Sequence, residues 1–151
     1  MSIFSHASSA AGAGLTLALC CETMGHLDDP ELTAEEAKVI GIAGRIGATE
    51  CGEQLNDETT IQIVREYRAW WHQDHIDVEH VANTLVAAAG TLKTAWKTGH
   101  AGHVRFLKAI LVLGHVDGCV SDVEAELPAM VAGHMGAERA AFDQALQELG
   151  L

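Results

Sequence analysis

Apolar residues recur along this chain with helical spacing and almost nowhere alternate. The sharpest case is Val81, Leu85, Ala88, Leu92 and Ala95, whose alternating four- and three-residue steps put them on one helix face. That run predicts a helix from about Ile76 to Trp96. An almost wholly apolar stretch predicts another from Ala10 to Met24. A third starts at Thr33, with Val39, Ile40, Ala43 and Ile46 on one face, and ends at Gly47 or Gly52. Asn56 or Asp57 can cap the next, whose apolar stripe is Ile63, Val64, Tyr67 and Trp71. Gly99 and Gly102 predict a break, followed by a helix from about His103 to His115 with Val104, Leu107, Ile110, Leu111 and Gly114 inward. A sixth helix starts at Ser121 and turns Leu127, Met130, Val131 and His134 inward. Gly136 separates it from a seventh carrying Ala141, Phe142, Ala145, Leu146 and Leu149. No run reads as a strand, because alternation does not persist and β-branched residues are not clustered. The fold class predicted is all-α, a compact bundle of about seven helices.

Composition agrees with that reading. Hydrophobic residues make up 48% of 151 positions, enough for a core, and prolines are confined to Pro30 and Pro128. The length fits a single domain over 1–151. Pro- or Ser-rich linkers are absent from the sequence.

Charge changes the picture more. The formal net charge is −12, and it is uneven. Residues 1–60 carry ten acids and two bases, 61–115 four acids and six bases, and 116–151 seven acids and one base. Phosphate binding needs a basic face, so a nucleic-acid partner is not expected. A metal ion or a basic protein partner fits the acidic ends better. The first Lys or Arg is Lys38, so the N-terminus lacks a signal-peptide n-region, and the apolar stretch before it is too short to span a bilayer. A soluble, cytoplasmic protein is expected. Cys20, Cys21, Cys51 and Cys119 show no CxxC spacing and read as reduced thiols.

The two acidic ends share a phrase. One copy reads Gly25-His26-Leu27-Asp28-Asp29-Pro30-Glu31-Leu32-Thr33-Ala34-Glu35-Glu36, the other Gly114-His115-Val116-Asp117-Gly118-Cys119-Val120-Ser121-Asp122-Val123-Glu124. Setting Asp29 on Asp117 puts Leu32 on Val120, Thr33 on Ser121 and Glu36 on Glu124 without a gap. Each copy reads as helix, tight acidic turn, helix, with repeat halves near 10–60 and 100–151.

Two readings of the turns stand side by side. Thr33-x-x-Glu36 and Ser121-x-x-Glu124 are capping boxes, and acids at helix starts suit the dipole. Yet each turn holds more acids than capping requires, and clustered carboxylates repel unless a cation joins them. The candidate ligands are Asp29, Glu36, Asp117 and Glu124, then Asp28, Glu35 and Asp122. Carboxylate oxygens favour a hard divalent ion, Ca²⁺ or Mg²⁺. The EF-hand loop pattern is absent from both copies.

Asp117-Gly118-x-Val120-Ser121-x-x-Glu124, after an apolar helix, resembles the hallmark of TerB-like tellurite-resistance proteins. Asp29-x-x-Leu32-Thr33-x-x-Glu36 looks like a second copy, with Pro30 in place of the glycine. The resemblance spans most of the chain. It implies an all-helical, internally duplicated domain with a pseudo-twofold axis, in a family tied to stress responses, whose acidic face is thought to hold a metal ion. It implies no assigned reaction.

Other constellations are weaker. His72, His75 and His80 sit among acids, but a helix break near 71–76 separates them; His100 and His103 flank glycines. His26 and His115 precede the acidic turns and could join a transition-metal site. Trp70, Trp71 and Trp96 read as core. The expected function is therefore a divalent-cation-binding stress-response module that acts through protein partners, with a homodimer possible. A metal-free acidic interaction domain is the alternative, and a metal-dependent hydrolase is a third reading with no pocket signature behind it.

Overall fold

A computed structural model describes the backbone of residues 9–25, 34–73, 76–113 and 122–150, with side chains throughout except at 122–127. These residues form seven helices: α1 (Ala10–Gly25), α2 (Ala34–Glu50), α3 (Asp57–Trp71), α4 (Val78–Ala95), α5 (His100–Leu113), α6 (Asp122–His134) and α7 (Arg139–Glu148). No strand occurs among the described residues.

Apart from Thr16, Glu22 and Thr23, α1 is built of apolar residues and glycines on every side, and a helix of that kind belongs in the middle of a core. Its residues from 12 to 22 are all buried. α2 and α4 pack most extensively against it, and α5 runs between α2 and α7. The α1–α2 contact depends on missing side chains. A Cβ on Gly14 would stand 3.2 Å from the Gly47 Cα, and one on Gly44 would stand 2.9 Å from the Leu15 Cβ. The two backbones therefore meet directly over glycine. Phe106, Leu15, Leu17, Ile40, Ile63, Leu85, Leu92, Leu107, Ile110 and Met135 belong to a single core, to which α6 adds Val131 and Ala132 and α7 adds Ala141, Phe142 and Ala145.

Caps set several helix ends. The Asn56 Oδ1 accepts the Thr59 amide at 2.7 Å and starts α3. Asp77 starts α4 in a capping box whose third position is His80 rather than Glu. α2 and α6 end alike. Gly52 and Gly136 both take φ 77°, and the Glu53 and Ala137 amides return to the Ala48 and Ala132 carbonyls, each at 2.9 Å. These are Schellman endings, which a residue with a Cβ adopts only under strain. Lys97 lies over Gly52 and Lys93 over Gly136, so two neighbouring lysines cover two helix C-termini, where the dipole favours cations.

Some sequence expectations change. α5 begins at His100, not His103, and Gly102 lies inside its first turn. On α6 the buried residues described are Pro128, Val131 and Ala132, with Met135 just past its end, a stripe rotated from the expected one; Met130 and His134 are exposed. On α3 the stripe runs Ile63, Tyr67 and Trp70, with Trp71 half-buried. Among the described residues no helix is long and apolar enough to cross a membrane.

Candidate functional site

The repeated acidic phrase runs in sequence into α2 and α6, its residues 26–33 and 114–121 lying outside the described ones. α2 starts at Ala34 and α6 at Asp122, so Glu36 and Glu124 are each the third residue of their helix. Glu35 is exposed, whereas Glu36 is buried at 7%. Ala34, Ala37 and Lys38 around it are exposed, so Glu36 is the residue of that turn directed inward. Asp122 and Glu124 occupy the first turn of α6; their side chains lie outside the described residues, as do Asp28, Asp29, Asp117, His26 and His115. Among the described residues no three His, Cys, Asp or Glu side chains gather as a metal-ligand set.

The end of α1 adds a residue that sequence reasoning passed over. Glu22 is buried at 7% within an otherwise apolar helix. One acid in that run was the available signal. Beside it Thr23 donates to the Leu19 carbonyl at 3.0 Å. The Thr23 and Tyr67 hydroxyl oxygens are also 2.6 Å apart, a hydrogen bond in which either can donate. Burial, with Cys20 next, raises the Tyr67 pKa far above its ordinary value. Burial likewise raises Cys20 and Cys21.

A second polar centre joins α2 to α5. Glu50, the last residue of α2, is 4% exposed. Its Oε1 accepts from Arg105 Nη2 at 2.7 Å and Nε at 3.0 Å, and its Oε2 accepts from the Thr98 hydroxyl. The Lys97 amide donates to the Glu50 carbonyl at 2.9 Å. A Cβ on Gly102 would fall 2.5 Å from Oε2, so the carboxylate rests against bare backbone in the first turn of α5. An acid placed there suits the positive end of the helix dipole. Glu50 is therefore consumed by structure and offers nothing to a ligand.

The histidines divide. α3 ends at Trp71, so His72 and His80 share no helix face, and His75 lies outside the described residues. The His80 Nδ1 is 2.7 Å from Asp77 Oδ1 within the α4 cap, and this bond holds the Asp77 pKa below its ordinary value. His100 bonds Gln144 across to α7, where the Gln144 amide reaches Glu148 at 2.8 Å and Lys108 reaches the same carboxyl at 3.2 Å. His103 stacks on Trp96. In comparisons with known proteins, no family model matches this chain, and no curated protein and no solved structure matches it.

Proposed function

We propose that the chain is a TerB-like module of the tellurite-resistance, stress-response type, with a pseudo-twofold repeat, that works in the cytoplasm through protein partners. In this reading one divalent cation, Ca²⁺ or Mg²⁺ first, sits between the acidic turns that open α2 and α6. The common register of the two helices carries the reading: the repeated phrase enters each at the same point and leaves Glu36 and Glu124 at the same third position. The matching Schellman ends at Gly52 and Gly136 extend the likeness to the far ends of both helices, with α6 one turn shorter, 13 residues against 17.

Thermal unfolding of the metal-stripped chain, with and without each ion, tests this. Binding at 100 times the dissociation constant stabilises by about 2.7 kcal/mol. The midpoint rises with Ca²⁺ or Mg²⁺, and stays flat in Asp29→Ala and Asp117→Ala.

The same third position also suits a capping box with Thr33 or Ser121, which favours the second reading, a metal-free acidic docking domain. There, ion additions leave the midpoint unmoved, while Glu36→Ala lowers it.

A further inference from the structure

His103 occupies the corner where α4 gives way to α5, far in sequence from either acidic turn. Its imidazole lies nearly flat on the Trp96 indole, with centroids 4.8 Å and planes 16° apart. Phe106 meets the same indole edge-on at 5.8 Å. The Nε2 of His103 and the Nε1 of Trp96 are both buried and have no hydrogen-bond partner among the described residues. Such orphaned ring nitrogens are uncommon in folded proteins. A neutral imidazole tolerates the position. An imidazolium does not, because it carries a proton on both nitrogens and needs an acceptor for each.

The charged groups that face the ring come from three places. His100 comes from the first turn of α5, Glu50 from the end of α2, and Glu138 from the residue before α7. Burial first, then repulsion from His100, lowers the His103 pKa from its ordinary value near 6.5, while Glu50 and Glu138 pull it upward. Glu50 is engaged with Thr98 and Arg105. Glu138 is exposed and makes no side-chain bond to the α7 cap, so its carboxylate is accessible. Lys97 and Thr98 on one side of His103, and Arg105 on the other, are the groups that fasten this corner to α2.

We propose that His103 is an acid-sensitive pin: neutral, it locks the corner at 96–103 by stacking on Trp96; protonated, it leaves the indole toward Glu138 and loosens the corner from α2. The proposal is independent of the ion site. Its sign follows from linkage. A histidine whose folded pKa is depressed binds its proton more readily in the unfolded chain. Stability is therefore full above about 6.5 and falls as pH drops through that value, by about tenfold in the folding constant per pH unit until the folded pKa is reached.

Histidine NMR titration of the full chain is the test, joined to denaturant midpoints for wild type and His103→Phe from about pH 8 to about pH 5. Phenylalanine keeps a ring on Trp96 and cannot titrate. The expected result is a His103 pKa below 6.5, a wild-type midpoint that falls relative to His103→Phe as the solution is acidified, and faster amide exchange at Gly102, His103 and Val104 after correction for intrinsic rates. Titration at or above the ordinary value, or midpoint curves that run parallel, overturns the proposal. If His103→Phe does not fold, the wild-type titration and exchange decide it alone.

Discussion

The Arg105 guanidinium grips one oxygen of the buried Glu50 carboxylate with two nitrogens, at 2.7 and 3.0 Å. The pair is asymmetric: the Glu50 side chain is 6% exposed and the Arg105 side chain 56%. The carboxylate is the member withdrawn from water, and the arginine reaches in from solvent to serve it. Glu50→Ala releases the exposed Thr98 to solvent and opens a hole against Gly102. Arg105→Ala leaves a buried charge with only Thr98. Each is expected to lower unfolding free energy by about 1–3 kcal/mol, Arg105→Ala because the buried carboxylate loses its counter-charge, Glu50→Ala because its bonds to Arg105 and Thr98 are lost. A double-mutant cycle from chemical denaturation should give a coupling of at least about 0.5 kcal/mol. Additive single effects would mean that the contact is idle.

The glycines of α2 separate close packing from ordinary helix propensity. Gly47→Ala sets a methyl 3.1 Å from the Gly14 Cα, and backbone cannot step aside. Gly44→Ala meets the Leu15 Cβ at 2.9 Å. Both should cost about 1–3 kcal/mol through overpacking. Gly90 on α4 has nothing within 4 Å of its Cβ position. Gly90→Ala should therefore stabilise by about 0.5–1 kcal/mol. Thermal midpoints of the three variants, falling for two and rising for one, check the α1–α2 seam.

Alkaline stability follows from the end of α1. Cys20, Cys21 and Tyr67 have pKa values raised by burial, so the unfolded chain loses their protons first. A folded pKa raised above the unfolded one gives stability that is full below the unfolded value and lost as pH rises through it. The denaturant midpoint should decline from about pH 8.5 upward, the ordinary cysteine range. A Cys20→Ser/Cys21→Ser variant should lose much of that slope. In the native chain neither thiol should react with a maleimide at neutral pH, and both should react in denaturant.

The helices were legible because their apolar spacing is regular and their ends carry chemistry. α1 starts at Ala10 as its apolar run predicts; of the two caps the sequence offers for α3, Asn56 or Asp57, the structure uses Asn56, and of the two stops for α2, Gly47 or Gly52, it uses Gly52, with Gly136 ending α6. Gly102 misled, because a glycine before an apolar run looks like a break. In the structure its missing side chain makes room for Glu50, a residue about a third of the chain away. The α6 stripe was misplaced because Ala132 and Pro128 face inward where Met130 and His134 were the more conspicuous residues. Of the candidate site, local sequence placed Glu36 and Glu124 at helix starts. It held one hint of Glu22, a lone acid in an apolar run, and none of the partners of Glu50, which depend on how distant helices meet.

The central claim is that the two acidic turns hold one cation between them. Calorimetric titration of the metal-stripped full chain with Ca²⁺, Mg²⁺, Mn²⁺ and Zn²⁺ measures that most directly. The account predicts saturable heat with Ca²⁺ or Mg²⁺ at a single ion per chain, abolished equally by Asp29→Ala and by Asp117→Ala. Titrations without heat for all four ions, or binding that survives both substitutions, would contradict it.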